Sequence, residues 1–365
     1  DKEAKSGKTE EAIFKLFSRG IATQRDEWVY DHSEDLLNQK MKAFIKVYQN
    51  ALENAKPDFQ IKWDRELSKY LKSGIQKEFK KSDILVNQYR PFIKQFFYLD
   101  KHFNGQPYQW FEIFRTNESN TYIALNSPGN PKGFFCLGSN TICDLHLTGD
   151  SQCLPFYKYG SKNERIDNIT DWSLLQFKKH YGAKGITKEA IFHYVYAVLH
   201  DPIYREKYAL NLKREFPRIP FYADFAQWAK WGKVLMDLHI GYESVASAKL
   251  NRIDTADEKA RKAGVPPKAM LKADRDAGTI VLDSETTLSG VPDAAWDYRL
   301  GNRSALEWIL DQYKEKKPKD PTIREKFDTY RFADYKEKVI DLLQRVTTVS
   351  VETMKIVDAM KVAKR

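Results

Sequence analysis

The chain has 365 residues, 42% of them hydrophobic, with 21 Phe, 20 Tyr and 8 Trp. At roughly 150 residues per domain that is two domains or one large body with subdomains, and the composition excludes a disordered segment or a disulfide scaffold. Lys plus Arg number 60 against 50 Asp plus Glu, a formal net charge of +10 that favours a polyanionic partner without naming one.

The opening thirty residues mix Gly20, polar groups and aromatics without sustained periodicity, as a connector entering from an upstream domain would. A helix is predicted from Ser33 to about Ala55, with Leu37, Met41, Phe44, Ile45, Tyr48 and Leu52 on one stripe and Pro57 closing it. Lys72, Lys77, Lys80, Lys81, Arg90, Lys94 and Lys101 then read as a local basic stretch against Glu78, Asp83 and Asp100. Residues 84–157 alternate short apolar pieces, such as Tyr122–Leu125 and Gly133–Leu137, with Asn, Ser, Gly and Pro clusters, the signals of strands and turns.

From Asp171 to Glu243 the pattern is helical. Thr187 is placed to cap a helix carrying Ile191, Tyr194, Val195 and Val198, which Asp201-Pro202 interrupts. Asp224 is placed to cap another, in which Phe225, Trp228, Gly232, Leu235, Met236 and His239 follow the 3.6 period. Met270 to Asp283 reads as two strands joined near Asp276-Ala277-Gly278, and Ser304 to Tyr313 as a helix. Tyr335 to Met360 reads as a long helix whose β-branched patch Thr347–Val351 marks a possible break. The fold class is α+β: mixed short strands and helix first, a helical middle, then a hairpin with helices. The expected divisions are a connector at 1–30, a mixed subdomain at 31–165, a helical one at 166–260 and an α+β one at 261–365.

Three Cys without a CxxC pair point to a reducing cytoplasm. No apolar run of about 18 residues indicates a membrane span, and Asp1–Lys5 does not read as a signal peptide. GxGxxG, P-loop, HExxH and GxSxG are all absent. Asp201-Pro202-Ile203-Tyr204 has the outline of the D-P-P-Y motif with which amino-methyltransferases hold a flipped base, but lacks its second proline, and a helix-to-helix turn is the favoured reading. Asp293, Glu315 and Lys317 have the outline of a metal-dependent PD…ExK nuclease, although their carboxylates fall in helical and turn context. Cys136, Cys143, His146 and Cys153 put four soft donors within eighteen residues, yet only Cys143 and His146 have zinc-like spacing, so buried cysteines are the plainer reading.

Several blocks, in order, carry a resemblance. They are Gly20–Asp26, Tyr89-Arg90-Pro91-Phe92, Ile191–Tyr208, Pro217–Pro220, Asp237–Glu243 and Trp296–Trp308. Together they resemble the C-terminal specificity region of Type ISP restriction–modification enzymes, over about Phe17 to Met360. The resemblance implies double-stranded DNA as partner and an upstream adenine-specific methyltransferase on the same polypeptide. It also implies that S-adenosylmethionine, ATP and Mg serve upstream domains and that this chain alone neither methylates nor cuts DNA. A recognition domain needs cations for phosphates and polar forks for base edges. The candidates are Arg25, Arg90 and Lys94 among aromatics, Lys178 and Lys179 beside His180-Tyr181, and Asn302 and Arg303 before a helix whose first amides would add anion affinity. The competing readings are the nuclease on Asp293, Glu315 and Lys317, and a protein-docking scaffold.

Overall fold

A computed structural model describes residues 9, 11–115 and 119–365. Its architecture is α+β, with two sheets interleaved in the first half, helices packed on each of them, and a third sheet near the end. The first sheet runs in the order Ser18–Arg19, Gln152–Pro155, Tyr122–Leu125, Cys136–Ser139, all antiparallel. Tyr122–Leu125 is apolar at every position because both its faces are covered. Tyr122 and Ala124 enter one core while Ile123 and Leu125 enter the other, so this sheet is the partition between two hydrophobic clusters.

The second sheet runs Tyr30–Asp31, Ile93–Tyr98, Ile84–Arg90, Ile142–Cys143, the last pair parallel. The hairpin Ile84–Tyr98 turns through Phe92, which takes φ +58° and is fully buried. That rare backbone for a bulky residue drives the ring edge-on against Tyr242 at 5.2 Å. Helix α1, Glu34–Glu53, covers the sheet. Ser33 caps it by accepting from the amide of Leu36, and Leu37, Met41, Phe44, Ile45 and Tyr48 lie on its buried stripe. Lys40 shares that stripe because its ammonium has partners: the carbonyls of Glu27 (2.8 Å) and Tyr30 (2.6 Å) and the carboxylate of Asp31 (2.7 Å). The opening segment is thereby fastened to α1, and its Ile21, Trp28, Val29 and Tyr30 are core residues.

The helical layer comprises α2 (Asp171–Tyr181), α3 (Lys188–Val198) and α4 (Phe225–Ile240), capped by Thr170, Thr187 and Asp224. Helices α3 and α4 meet closely at Gly232, where a Cβ would stand 1.7 Å from the carbonyl oxygen of His193. No other residue fits there without separating the helices. Asp201-Pro202 begins a short helix, Pro202–Lys207. Its carboxylate accepts from the amide of Ile203 (3.1 Å), the hydroxyl of Tyr222 (2.9 Å) and Arg365 (3.0 and 2.6 Å). The D-P-P-Y outline is a buried helix start with no room for a base.

The third sheet runs Asn251–Asp254, Thr286–Ser289, Thr279–Asp283, Ala269–Asp274. Leu271, Ile280, Leu282 and Leu288 face the core, while Asn251–Asp254 is exposed throughout. Helix α5 (Ala305–Gln312) follows, then α6 (Lys336–Lys361), which is continuous. The break expected at Thr347–Val351 does not occur. The Thr347 hydroxyl donates to the carbonyl of Leu343 and that of Ser350 to Val346, both at 2.7 Å, and both side chains are buried. Tertiary packing outweighs the weak intrinsic propensity of these residues.

Candidate nucleic-acid interface

A cleft of about 600 Å³ lies between the loop Ile21–Trp28, the segment Phe59–Lys62, residues 144–146 and residues 319–321. A parallel bridge between Ile21 and Asp144 and the mutual amide–carbonyl bonds of Ala22 and Gln106 fix the loop at its base. The arginines expected to reach a ligand point the other way. Arg25 is 2% exposed; its guanidinium donates to the carbonyl of Phe103 and to Asp64 at 2.5 Å. Arg90 lies 3.8 Å from the centre of the Tyr89 ring and donates to Asp144 at 2.5 Å. Asp144 also accepts from the hydroxyl of Tyr30 (3.1 Å) and the amide of His146 (2.7 Å). Burial raises its carboxyl above the ordinary carboxylate range, and Arg90 pulls against that shift. Both arginines thus brace the cleft wall from behind.

The other candidate cations lie outside the lining of this cleft. Lys94 pairs with Glu243 at 2.6 Å and stands over the Tyr242 ring. Arg303 pairs with Asp311 at 3.1 Å and lies 5.1 Å from the centre of the Trp308 ring, where Lys132 also stands at 5.4 Å. Exposed Asn302 occupies the turn of the two-stranded ribbon Arg299–Leu300 and Arg303–Ser304, its carbonyl accepting from Arg299. The first amides of α5 are not all free for an anion. Ser304 Oγ accepts from Glu307 N (3.2 Å) and Glu307 accepts from Ser304 N (2.7 Å), a reciprocal cap. Lys178 and Lys179 occupy the last turn of α2, half-buried and exposed respectively, with no carboxylate partner among the described residues.

The basic stretch before Lys101 is partly neutralised. Lys77 pairs with Asp100 at 2.5 Å, Lys81 with Glu34 at 3.4 Å and Lys94 with Glu243. What the sequence did not mark is the segment 251–276, where exposed Lys259, Lys262, Lys268 and Lys272 have no ion-pair partner among the described residues. Nor did it mark the cleft's own free cations, Lys62 and Lys319. The one signal for Phe59 was an apolar residue standing outside any periodic pattern just after Pro57.

The nuclease carboxylates do not assemble. Asp293 opens the short helix Asp293–Asp297 on the surface, whereas Glu315 accepts from the amide of Phe332 at 2.9 Å and so fixes a loop. Among the described residues no three His, Cys, Asp or Glu side chains gather as a metal-ligand group. Cys136 lies 3.6 Å from His200 and beside Arg205, with burial pushing its thiol up to about 11. Cys143 and Cys153 neighbour each other next to Tyr122, while His146 is exposed at the cleft. The four soft donors therefore serve three different places.

Fold and cleft together define an α+β body whose cleft wall is braced by the buried pairs Arg25–Asp64 and Arg90–Asp144. The chain belongs to the family of Type ISP C-terminal specificity domains, whose model matches residues 12–342. Its fold is similar to a chain of the DrdV–DNA complex determined by cryo-electron microscopy, at 49% identity and TM-score 0.91 over 95% of this chain. It is also similar to a nuclease-deletion mutant of the Type ISP enzyme LlaGI with a DNA substrate mimic (26%, TM-score 0.79, 96% of this chain). A third similar structure is the ATP-dependent Type ISP enzyme LlaBIII bound to DNA (25%, TM-score 0.82, 97%). The chain spans 36%, 28% and 23% of those three chains. Comparison with curated proteins gives no match.

Proposed function

We propose that this chain recognises a target sequence in double-stranded DNA on behalf of a Type ISP restriction–modification polypeptide. The observation that carries the reading is the 49% identity, across 95% of the chain, to a protein in complex with DNA. The physical support is the distribution of charge. Many acidic groups in the body are tied up in ion pairs and caps, while Lys179, Lys259, Lys262, Lys268 and Lys272 stand exposed and half-buried Lys178 lies beside Lys179, all without an ion-pair partner among the described residues and suited to phosphate oxygens. Arg25, Arg90, Lys94 and Arg303 act through their carboxylate partners to hold that surface in shape, and Asn302 presents an exposed amide to a base edge or phosphate. In this reading the connector at 1–30 and the subdomains at 31–165, 166–260 and 261–365 serve one cytoplasmic enzyme. An upstream methyltransferase takes S-adenosylmethionine there, and ATP and Mg act in other domains. This chain's share is to orient the duplex so that a target adenine reaches the methyltransferase.

Fluorescence anisotropy with a duplex pool tests the proposal. Binding should weaken steeply as salt rises, because each neutralised phosphate releases counterions, and rounds of selection from a random-site pool should converge on one sequence. Absence of binding at low salt, or a pool that stays random, would remove the reading.

A further inference from the structure

We infer that the cleft beside Thr23–Trp28 holds one unstacked nucleotide of the bound DNA, with its base against Phe59, its polar edge at Gln24 and its phosphate between Lys62 and Lys319. This rests on the DNA-recognition reading and gives it a second, distinct contact. Phe59 is 85% exposed although its neighbours are anchored. Ile61 is buried, the Asp58 carboxylate accepts from the amide of Gln60 at 2.9 Å, and the Asp58 carbonyl accepts from the indole of Trp63 at 2.6 Å. A braced loop thus presents a bare ring at the wall of the cleft. A single exposed apolar side chain is ordinary on a protein surface; the groups around this one are not.

Gln24 is exposed and takes φ +64°, a backbone that non-glycine residues rarely adopt. Its Cγ would come within 2.5 Å of a Cβ at position 105, so Gly105 is what admits the side chain. The strain is held by flanking bonds: Gly105 donates to the carbonyl of Thr23 at 3.3 Å, Thr23 donates to Asp26, and Arg25 is locked behind. Strain maintained at an exposed polar residue is a mark of a contact made in advance. An amide side chain offers both a donor and an acceptor, the pairing a base edge requires.

The carboxylates of the wall are engaged. Glu27 accepts from the amides of Lys319 (2.9 Å) and Asp320 (2.7 Å), Asp320 from the indole of Trp28 (2.8 Å), Asp26 from Thr23 and Tyr89, and Asp144 from Arg90. Lys62 and Lys319 have no carboxylate partner among the described residues. The cleft shows to solvent an aromatic face, an amide, His146 and two cations, beside the half-buried carboxylates of Asp26, Glu27 and Asp320, whose oxygens are held by neutral donors; an aromatic face with nearby cations is the chemistry of a single-strand stacking site. Its volume of about 600 Å³ lies within the range of roughly 300–1,000 Å³ typical of small-ligand sites.

The test uses the chain with a duplex selected from a random-site pool, carrying 5-iodouracil at one position at a time. Ultraviolet irradiation should crosslink one position to the peptide containing Phe59. Phe59→Ala should remove that crosslink and weaken binding about ten-fold, the effect expected of one stacked base, whereas Phe59→Trp should keep both. Gln24→Ala should relax preference at a single base, and Lys62→Gln and Lys319→Gln should each lower the salt slope by about one. Leu210→Ala, an exposed change elsewhere, and an unchanged melting temperature of Phe59→Ala control for folding. Duplex binding that persists at parental strength in Phe59→Ala, with no crosslink to its peptide, overturns the cleft proposal and leaves the recognition reading standing. Loss of Phe59→Ala association with a protein segment, with DNA binding intact, overturns it equally. No DNA binding by the parent at low salt defeats both.

Discussion

Between α3, α4 and α6 the buried polar groups are neutral: the Tyr196 hydroxyl meets His239, and the other ring nitrogen of His239 meets Thr353 at 2.9 Å. Around the cleft they are charged, as Arg25 faces Asp64, Arg90 faces Asp144 and Lys40 faces Asp31. The first region is a packed seam held mainly by apolar burial. The second must keep an open wall in one shape, and buried ion pairs do that through geometry while adding little net stability. The two regions should fail differently.

The sharpest way to break the contrast is Asp144→Ala. It strands the Arg90 guanidinium in the interior and should cost about 3–5 kcal/mol, read as a lowered urea midpoint. Replacing both partners with apolar residues should recover much of the loss, and a double variant as unstable as the single one would count against this account. Acidification tests the neutral region and its counterpart near α1. Burial holds His239 down at about 3 and His32 at about 4, below the ordinary 6.5. Because the unfolded chain protonates first, the stability present above pH 6.5 should fall as pH drops from there. Each group should contribute about 1.4 kcal/mol per pH unit, until its own folded value is reached. Urea midpoints that stay level from pH 7 to pH 5 would contradict it. The smallest effect is at the surface of the helical layer, where Asp224→Ala removes the cap of α4 and should cost about 1 kcal/mol by thermal denaturation.

Helices α1, α3 and α4 were legible because their information is local. Ser33, Thr187 and Asp224 each accept from an amide three residues on, and the apolar period names the buried face. The cleft was legible only as a motif. Gly20–Asp26 stands out as a motif, but the partner of Arg25 is 39 positions away, that of Arg90 is 54 away, and Trp28 donates to Asp320 at a separation of 292. No window of sequence contains those pairings, so the carboxylate partners of Arg25 and Arg90 come to light only in the fold. The lysines that remain free were obscured for the same reason, since freedom is the absence of a distant carboxylate. Propensity alone points to a break in α6, because burial of Thr347 and Ser350 is a tertiary fact.

Helix α6 carries a practical consequence. At about 1.5 Å per residue its 26 residues extend roughly 39 Å, touching α5, α4 and the short helix Pro202–Lys207, and Arg365 just beyond it clasps Asp201 with two nitrogens. Such a beam ties the C-terminal hairpin to the middle of the molecule, so no cut within 336–361 separates independently folding pieces. Chimaeras that exchange only the last hundred residues between relatives would inherit a mismatched seam. Grafts that move the entire body keep both ends of the beam matched.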